Sequence, residues 1–159
     1  MRTFLASDIA KRVRRGDEDP VRVLNRVRNW TKLGLLEPAG DAHPGGGRPC
    51  VYSEGALLDA MLLQELVDAG VDAVRAAPIL EQIKRDAPNL FIASLTKLSN
   101  KTLLVIGKEY SNSKVLNISL RSPDSLAKLA SMHALSFFYI IDIERLRDRL
   151  NAEPDGEGE

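Results

Sequence analysis

The chain has 159 residues, 44% apolar and 28% charged, with 22 basic and 22 acidic side chains, so it can bury the core of one ordinary domain or two small ones. One cysteine, Cys50, excludes an internal disulfide framework, and two histidines, His43 and His133, leave no Cys/His cluster spaced for zinc. No run of about 18 apolar residues is present to span a bilayer and no apolar secretory stretch opens the chain, so a cytoplasmic location and no membrane partner are expected.

Net charge is zero, but its distribution is uneven. Residues 1–36 hold nine Lys/Arg and four Asp/Glu, whereas the remainder holds 13 and 18. Positive potential is therefore concentrated at one end, as a nucleic-acid contact requires, although a basic helix is as often a solvated surface.

From Phe4 to Arg15 the run FLASDIAKRVRR places Leu5, Ile9 and Val13 four apart, with Ala6 and Ala10 beside them, which predicts a helix. Arg12, Arg14 and Arg15 stand near its end, placed equally well for phosphates or for the negative end of the helix dipole. Gly16 stops this helix, and GDED supplies a turn whose aspartates can cap the next one.

That next helix begins at Pro20, where the missing N–H costs nothing. Stepping about 100° per residue gathers Arg22, Asn25, Arg26 and Asn29 on one face and Val23, Leu24, Val27 and Trp30 on the other. Arginine and asparagine match the edges of guanine and adenine in a major groove, so these four are the expected base-reading residues. Arg28 and Lys32 lie towards one flank, where phosphate is the expected contact. Trp30, the single tryptophan, is expected to anchor the helix to the core.

Gly34 and Pro38 end the helix, and AGDAHPGGG has the composition of a mobile hairpin tip. No Lys-Ser/Thr follows these glycines and no strand precedes them, so a phosphate-binding loop is excluded and no cofactor is indicated. Cys50 fits a small packing residue in the returning strand, and His43 a loop position. Ser53 and Glu54 provide a hydroxyl cap and a first-turn acid for a helix with Leu57, Leu58, Met61, Leu62 and Leu66 as its stripe and Gly70 as its end.

Taken together, Trp30, Leu33, Gly34, Leu35, Leu36, Pro38, the glycine-rich stretch, Arg48, Tyr52, Ser53 and the apolar helix ending at Gly70 resemble the DNA-binding domain of MerR-type regulators, over residues 4–84. The resemblance implies a winged helix-turn-helix used as a dimer on promoter DNA, with Arg48 as a basic wing residue meeting the backbone. Double-stranded DNA and a second copy are the implied partners, and RNA polymerase is a further one for a promoter-bound factor. Two departures stand out. The link between the first two helices is longer than the tight turn of that family, and no unbroken heptad pattern follows Asp86 to form its long dimerisation helix.

A short helix from Asp72 is expected to break near Pro78 and again at Pro88. The period then changes. TLLVIGK from Thr102, VLNISL from Val115 and SFFYIID from Ser136 read as strands, with a capped helix from Ser122 between the second and third. The first two form a hairpin, and the crossover makes the second and third parallel or separated neighbours in a small mixed sheet. A final helix from Asp142 carries Ile143, Leu146 and Leu150, and its charged side, IERLRDRL, reads as a solvated face.

The expected fold class is therefore α+β. Residues 1–85 form the MerR-like domain, 86–152 a small β-β-α-β-α dimerisation or effector domain, and 153–159 an acidic disordered tail. No nucleophile with an orienting carboxylate can be placed around His133, so no enzyme is expected. A dimeric transcription regulator is the leading reading and an excisionase-like architectural factor the alternative; a ligand-sensing second half ranks below a dimerisation module.

Overall fold

A computed structural model describes residues 2–40 and 49–86, three strands between 103 and 142, and the chain from 141 to 152. Helices and strands are mixed, in an α+β arrangement. The chain divides into two compact units: one runs to Ala73 and takes in the chain again from Arg149, and the other is Val74–Asp148. The sequence places the change at residue 85, where composition shifts.

The first unit opens with a strand, β1 (Thr3–Leu5), followed by helix α1 (Ala6–Val13). This corrects the helix expected from Phe4. Leu5, placed on the helical stripe by its spacing, is in the strand and 39% exposed, while Phe4 is buried. The turn-in is local chemistry: the Leu5 N–H donates to Asp8 Oδ2 at 2.8 Å, so the carboxylate satisfies a donor that the start of a helix leaves open. Ile9, Ala10 and Val13 form the buried stripe.

Helix α2 (Pro20–Lys32) begins as the sequence dictates, with Asp19 Oδ1 accepting from the Val21 N–H at 3.0 Å and proline in the first turn. It ends at Gly34, whose φ of +71° is the left-handed conformation glycine adopts without penalty. The Gly34 N–H reaches the Thr31 carbonyl at 3.0 Å and the Leu35 N–H the Trp30 carbonyl at 2.8 Å, which is a Schellman stop.

Pro38 then bridges Tyr52, and the Ala39 N–H donates to the Val51 carbonyl at 2.7 Å. Strand β2 (Val51–Ser53) pairs on its other side with β1 in antiparallel register, Phe4 facing Tyr52. Ser53 Oγ accepts from the Ala56 N–H at 3.2 Å and starts α3 (Glu54–Asp68). A second Schellman stop at Gly70 ends it, with the Val71 N–H on the Leu66 carbonyl at 2.9 Å.

Helix α3 is the centre of the unit. Its burial is wider than the expected stripe: Ala56 to Gln64 and Leu66 are all buried, including the polar Asp59 and Gln64. Helix α1 packs on α2 and α3, and α3 meets both strands.

Helix α4 (Ala73–Asp86) carries Pro78 inside it and does not break there as expected. Pro78 removes only the hydrogen bond to the carbonyl of Val74, a residue 70% exposed, so solvent can satisfy the group the proline leaves open. Pro88 lies outside the described residues.

In the second unit β3 (Leu103–Glu109) is the middle strand, paired antiparallel with β4 (Leu116–Arg121) on one side and with β5 (Leu135–Asp142) on the other. The expected hairpin and the separated second and third strands are present. The pairing is antiparallel throughout, which corrects the mixed sheet: β4 and β5 run the same way but never touch, because β3 lies between them. The helix expected from Ser122 lies outside the described residues. Asp142 Oδ1 accepts from the Glu144 and Arg145 N–H groups and starts α5 (Ile143–Asn151), with Ile143, Leu146 and Leu150 buried as expected.

Candidate nucleic-acid interface

Val23, Val27 and Trp30 bury one side of α2, which fixes what its other side presents. Arg22, Asn25, Arg28, Asn29 and Lys32 are all exposed. Around the helix axis these five fall within an arc of about 120°, and from Arg22 to Lys32 they extend about 15 Å, the scale of a major-groove contact. Arg22 is the most open, its side chain 83% exposed with only a loose 4.0 Å approach to Asp19.

Arg26 departs from this set. The wheel places it about 40° beyond Arg22, on the border with Trp30, and there the guanidinium turns inward. It pairs with Glu18 and donates from Nη1 to Gln64 Oε1 at 2.6 Å, leaving its side chain 26% exposed. The border position was legible in the sequence; its two partners, 8 and 38 residues away, were not.

This clamp is one end of a longer strut. Gln64 Nε2 donates to Asp68 Oδ1 at 2.6 Å, and Asp68 Oδ2 accepts from Arg15 Nε at 2.8 Å. Arg15 also pairs with Glu65, which Arg149 approaches at 3.4 Å, and Arg149 donates to the carbonyl of Arg12. Burial disfavours the charge on Arg15, but hydrogen bonds to Asp68 and Glu65 and attraction to both carboxylates outweigh it, holding the guanidinium above arginine's ordinary range. Arg15 therefore braces the interior side of the helices, and Arg149 does not belong to the solvated face its neighbours suggested. Arg12 lies 5.0 Å over the Phe4 ring and donates to the Ala152 carbonyl, so of the three arginines ending α1 only Arg14 is exposed.

The far end of α2 is pinned separately. Thr31 Oγ1 donates to the Val27 carbonyl at 3.2 Å and receives the buried Tyr52 hydroxyl at 2.8 Å. Tyr52 thus joins the base of the Pro38–Tyr52 bridge to the helix, so helix and hairpin base share one support. Arg48, His43 and the glycine tract lie outside the described residues, as does His133.

Beside α2 an open cleft of about 160 Å³ is lined by Ser7, Ala10, Lys11, Arg14, Pro20 and Leu24. It is below the size that encloses a drug-like ligand, but Lys11 and Arg14 extend the basic surface along α1. Among the described residues no cluster of three or more His, Cys, Asp or Glu is arranged to hold a metal, and no helix is long and apolar enough to cross a membrane. No protein-family model matches the chain, and no curated protein matches it either.

Proposed function

We propose that the first unit is a winged helix-turn-helix that binds double-stranded DNA, and that the chain acts as a dimeric, sequence-specific transcription regulator. The observation that carries this reading is the composition of the exposed side of α2: two asparagines and three cations, on a helix held from behind by Trp30, the Arg26 clamp and the Tyr52 hydroxyl. Asparagine and arginine at Arg22, Asn25 and Asn29 suit base edges, whereas Arg28 and Lys32 on the flank suit phosphates. Arg26 takes the supporting role and leaves the reading set. Lys11 and Arg14 add positive charge beside the start of α2.

The test is binding to the DNA upstream of the chain's own gene against scrambled DNA, by fluorescence anisotropy across a salt series. Arg22→Ala and Asn29→Ala are expected to erode the preference for the native fragment by about 1–3 kcal/mol for each bidentate contact removed. Lys32→Ala is expected to weaken both fragments alike and to lower the salt slope by about 1. Equal, salt-sensitive binding to both fragments would replace the regulator with an architectural factor, and no binding at low salt would remove the DNA reading.

A further inference from the structure

Most of the exposed apolar side chains of the first unit have a local explanation. Leu5 and Val51, 39% and 37% exposed, lie directly opposite each other in the β1–β2 register, so they adjoin, and Leu33 caps the end of α2. Val21 has no such explanation. It is 63% exposed in the first turn of α2, and among the described residues of that helix it alone exposes a large apolar side chain. Helix propensity ranks valine below alanine, so neither the helix nor water favours it there. A residue that breaks local rules with no gain in packing marks a place where function is to be sought.

Its place on the helix gives the direction. Stepping about 100° per residue from Val21 puts Arg28 and Lys32 within about 20° of it and Asn25 within about 40°, so the valine lies inside the arc spanned by the five exposed polar residues. Val21 and Asn25 are four residues apart and share one side of the first two turns, with Arg22 three residues before Asn25. The Val21 N–H is held by Asp19 Oδ1 at 3.0 Å. A β-branched side chain has little χ1 freedom on a helix, so the two methyl groups are presented in a fixed direction.

We infer that Val21 reads thymine by its methyl group. Among the groups that base pairs display in the major groove, the C5-methyl of thymine is the apolar one, and it is what a valine can cover. The first turns of a recognition helix are the part that reaches base edges. Val21 therefore joins Arg22 and Asn25 as a specificity-determining residue, and it acts by removing the methyl from water, with no hydrogen bond or charge involved. The inference rests on the DNA-binding reading of α2 and adds to it a base that neither arginine nor asparagine selects.

The full chain is used to select sites from a random pool of synthetic duplexes, in which thymine is the one base that carries the methyl. Each thymine of the selected site is then replaced singly by deoxyuridine, which removes the methyl and keeps the base pair, and affinity is measured by fluorescence anisotropy at fixed salt. At one thymine position the replacement is expected to weaken binding about fourfold for each half-site, the worth of one buried methyl. Val21→Ser should bind the thymine and deoxyuridine duplexes equally at that position and keep the discrimination that Arg22 and Asn25 give elsewhere in the site. Val21→Ala, which shortens the reach and favours the helix, replaces it if serine loses the fold by circular dichroism. Deoxyuridine that costs nothing at any position, or losses that all persist undiminished in the Val21 variant, overturns the inference and leaves the DNA reading standing. A pool that yields no enriched site removes the sequence-specific reading, and this inference with it.

Discussion

Replacing Arg26 with methionine keeps the aliphatic stem and removes only the polar contacts, so it separates a supporting arginine from a reading one. The substitution deletes the pair to Glu18, whose side chain is 25% exposed against 26% for Arg26, and the 2.6 Å hydrogen bond to Gln64. Gln64 is 2% exposed, so water cannot readily replace the lost donor at its Oε1. Hydrogen bonds to a charged group contribute about 1.5–3 kcal/mol, and a stranded buried acceptor costs about 1–3 kcal/mol; because the two figures overlap in what they count, about 2–3 kcal/mol is expected. Where the 159-residue chain melts as one body, that lowers its melting temperature by about 4–12 °C. The assay is thermal unfolding followed by tryptophan fluorescence, with a double-mutant cycle through Glu18→Gln to isolate the pair. Any loss of DNA affinity should accompany the loss of stability and be uniform across sequences. A melting temperature unchanged within about 1 °C, together with lost sequence preference, would refute the clamp and return Arg26 to the reading face.

Tyr52→Phe removes the hydroxyl that ties the hairpin base to α2, and is expected to cost about 1 kcal/mol in urea unfolding; an unchanged midpoint would mean that the Thr31 contact adds nothing. Arg15→Met is expected to cost about 1–2 kcal/mol, towards the lower end because Asp68 is partly exposed. Since the pKa of Arg15 is raised on folding, its contribution is complete below arginine's ordinary value and lost only as the pH rises through the still higher folded one. The destabilisation by Arg15→Met should therefore be the same at pH 7 and pH 9, and a cost that shrinks between them would show that the charge on Arg15 is not what is lost.

Local chemistry made much of the first unit legible. Asp19 with Pro20, Gly34, Ser53 and Gly70 each fix a helix end through bonds to residues no more than five away, and short-range rules capture such bonds. Strand β1 was not legible, because Leu5, Ile9 and Val13 keep helical spacing. What pulls Thr3–Leu5 out of the helix is a pairing with Val51–Ser53, nearly 50 residues on. Arg26 illustrates the same limit within the candidate site: periodicity gives its angle, but only the fold brings Glu18 and Gln64 to it. Pro78 shows the reverse error, where a strong local rule yields because the group it offends lies at the surface. The all-round burial of α3 was hidden by Asp59 and Gln64, whose polarity reads as a solvent face until their surroundings are known.

The burial of Trp30 has an experimental consequence. As the only tryptophan of the chain, 1% exposed and inside the first unit, it makes emission intensity a built-in reporter on that half alone. Far-ultraviolet circular dichroism sums helices and strands from both halves. If the two signals, recorded on one sample, coincide, the halves melt as a single cooperative body; if they separate, the optical difference between them gives the order in which the halves come apart, without a label or a truncation.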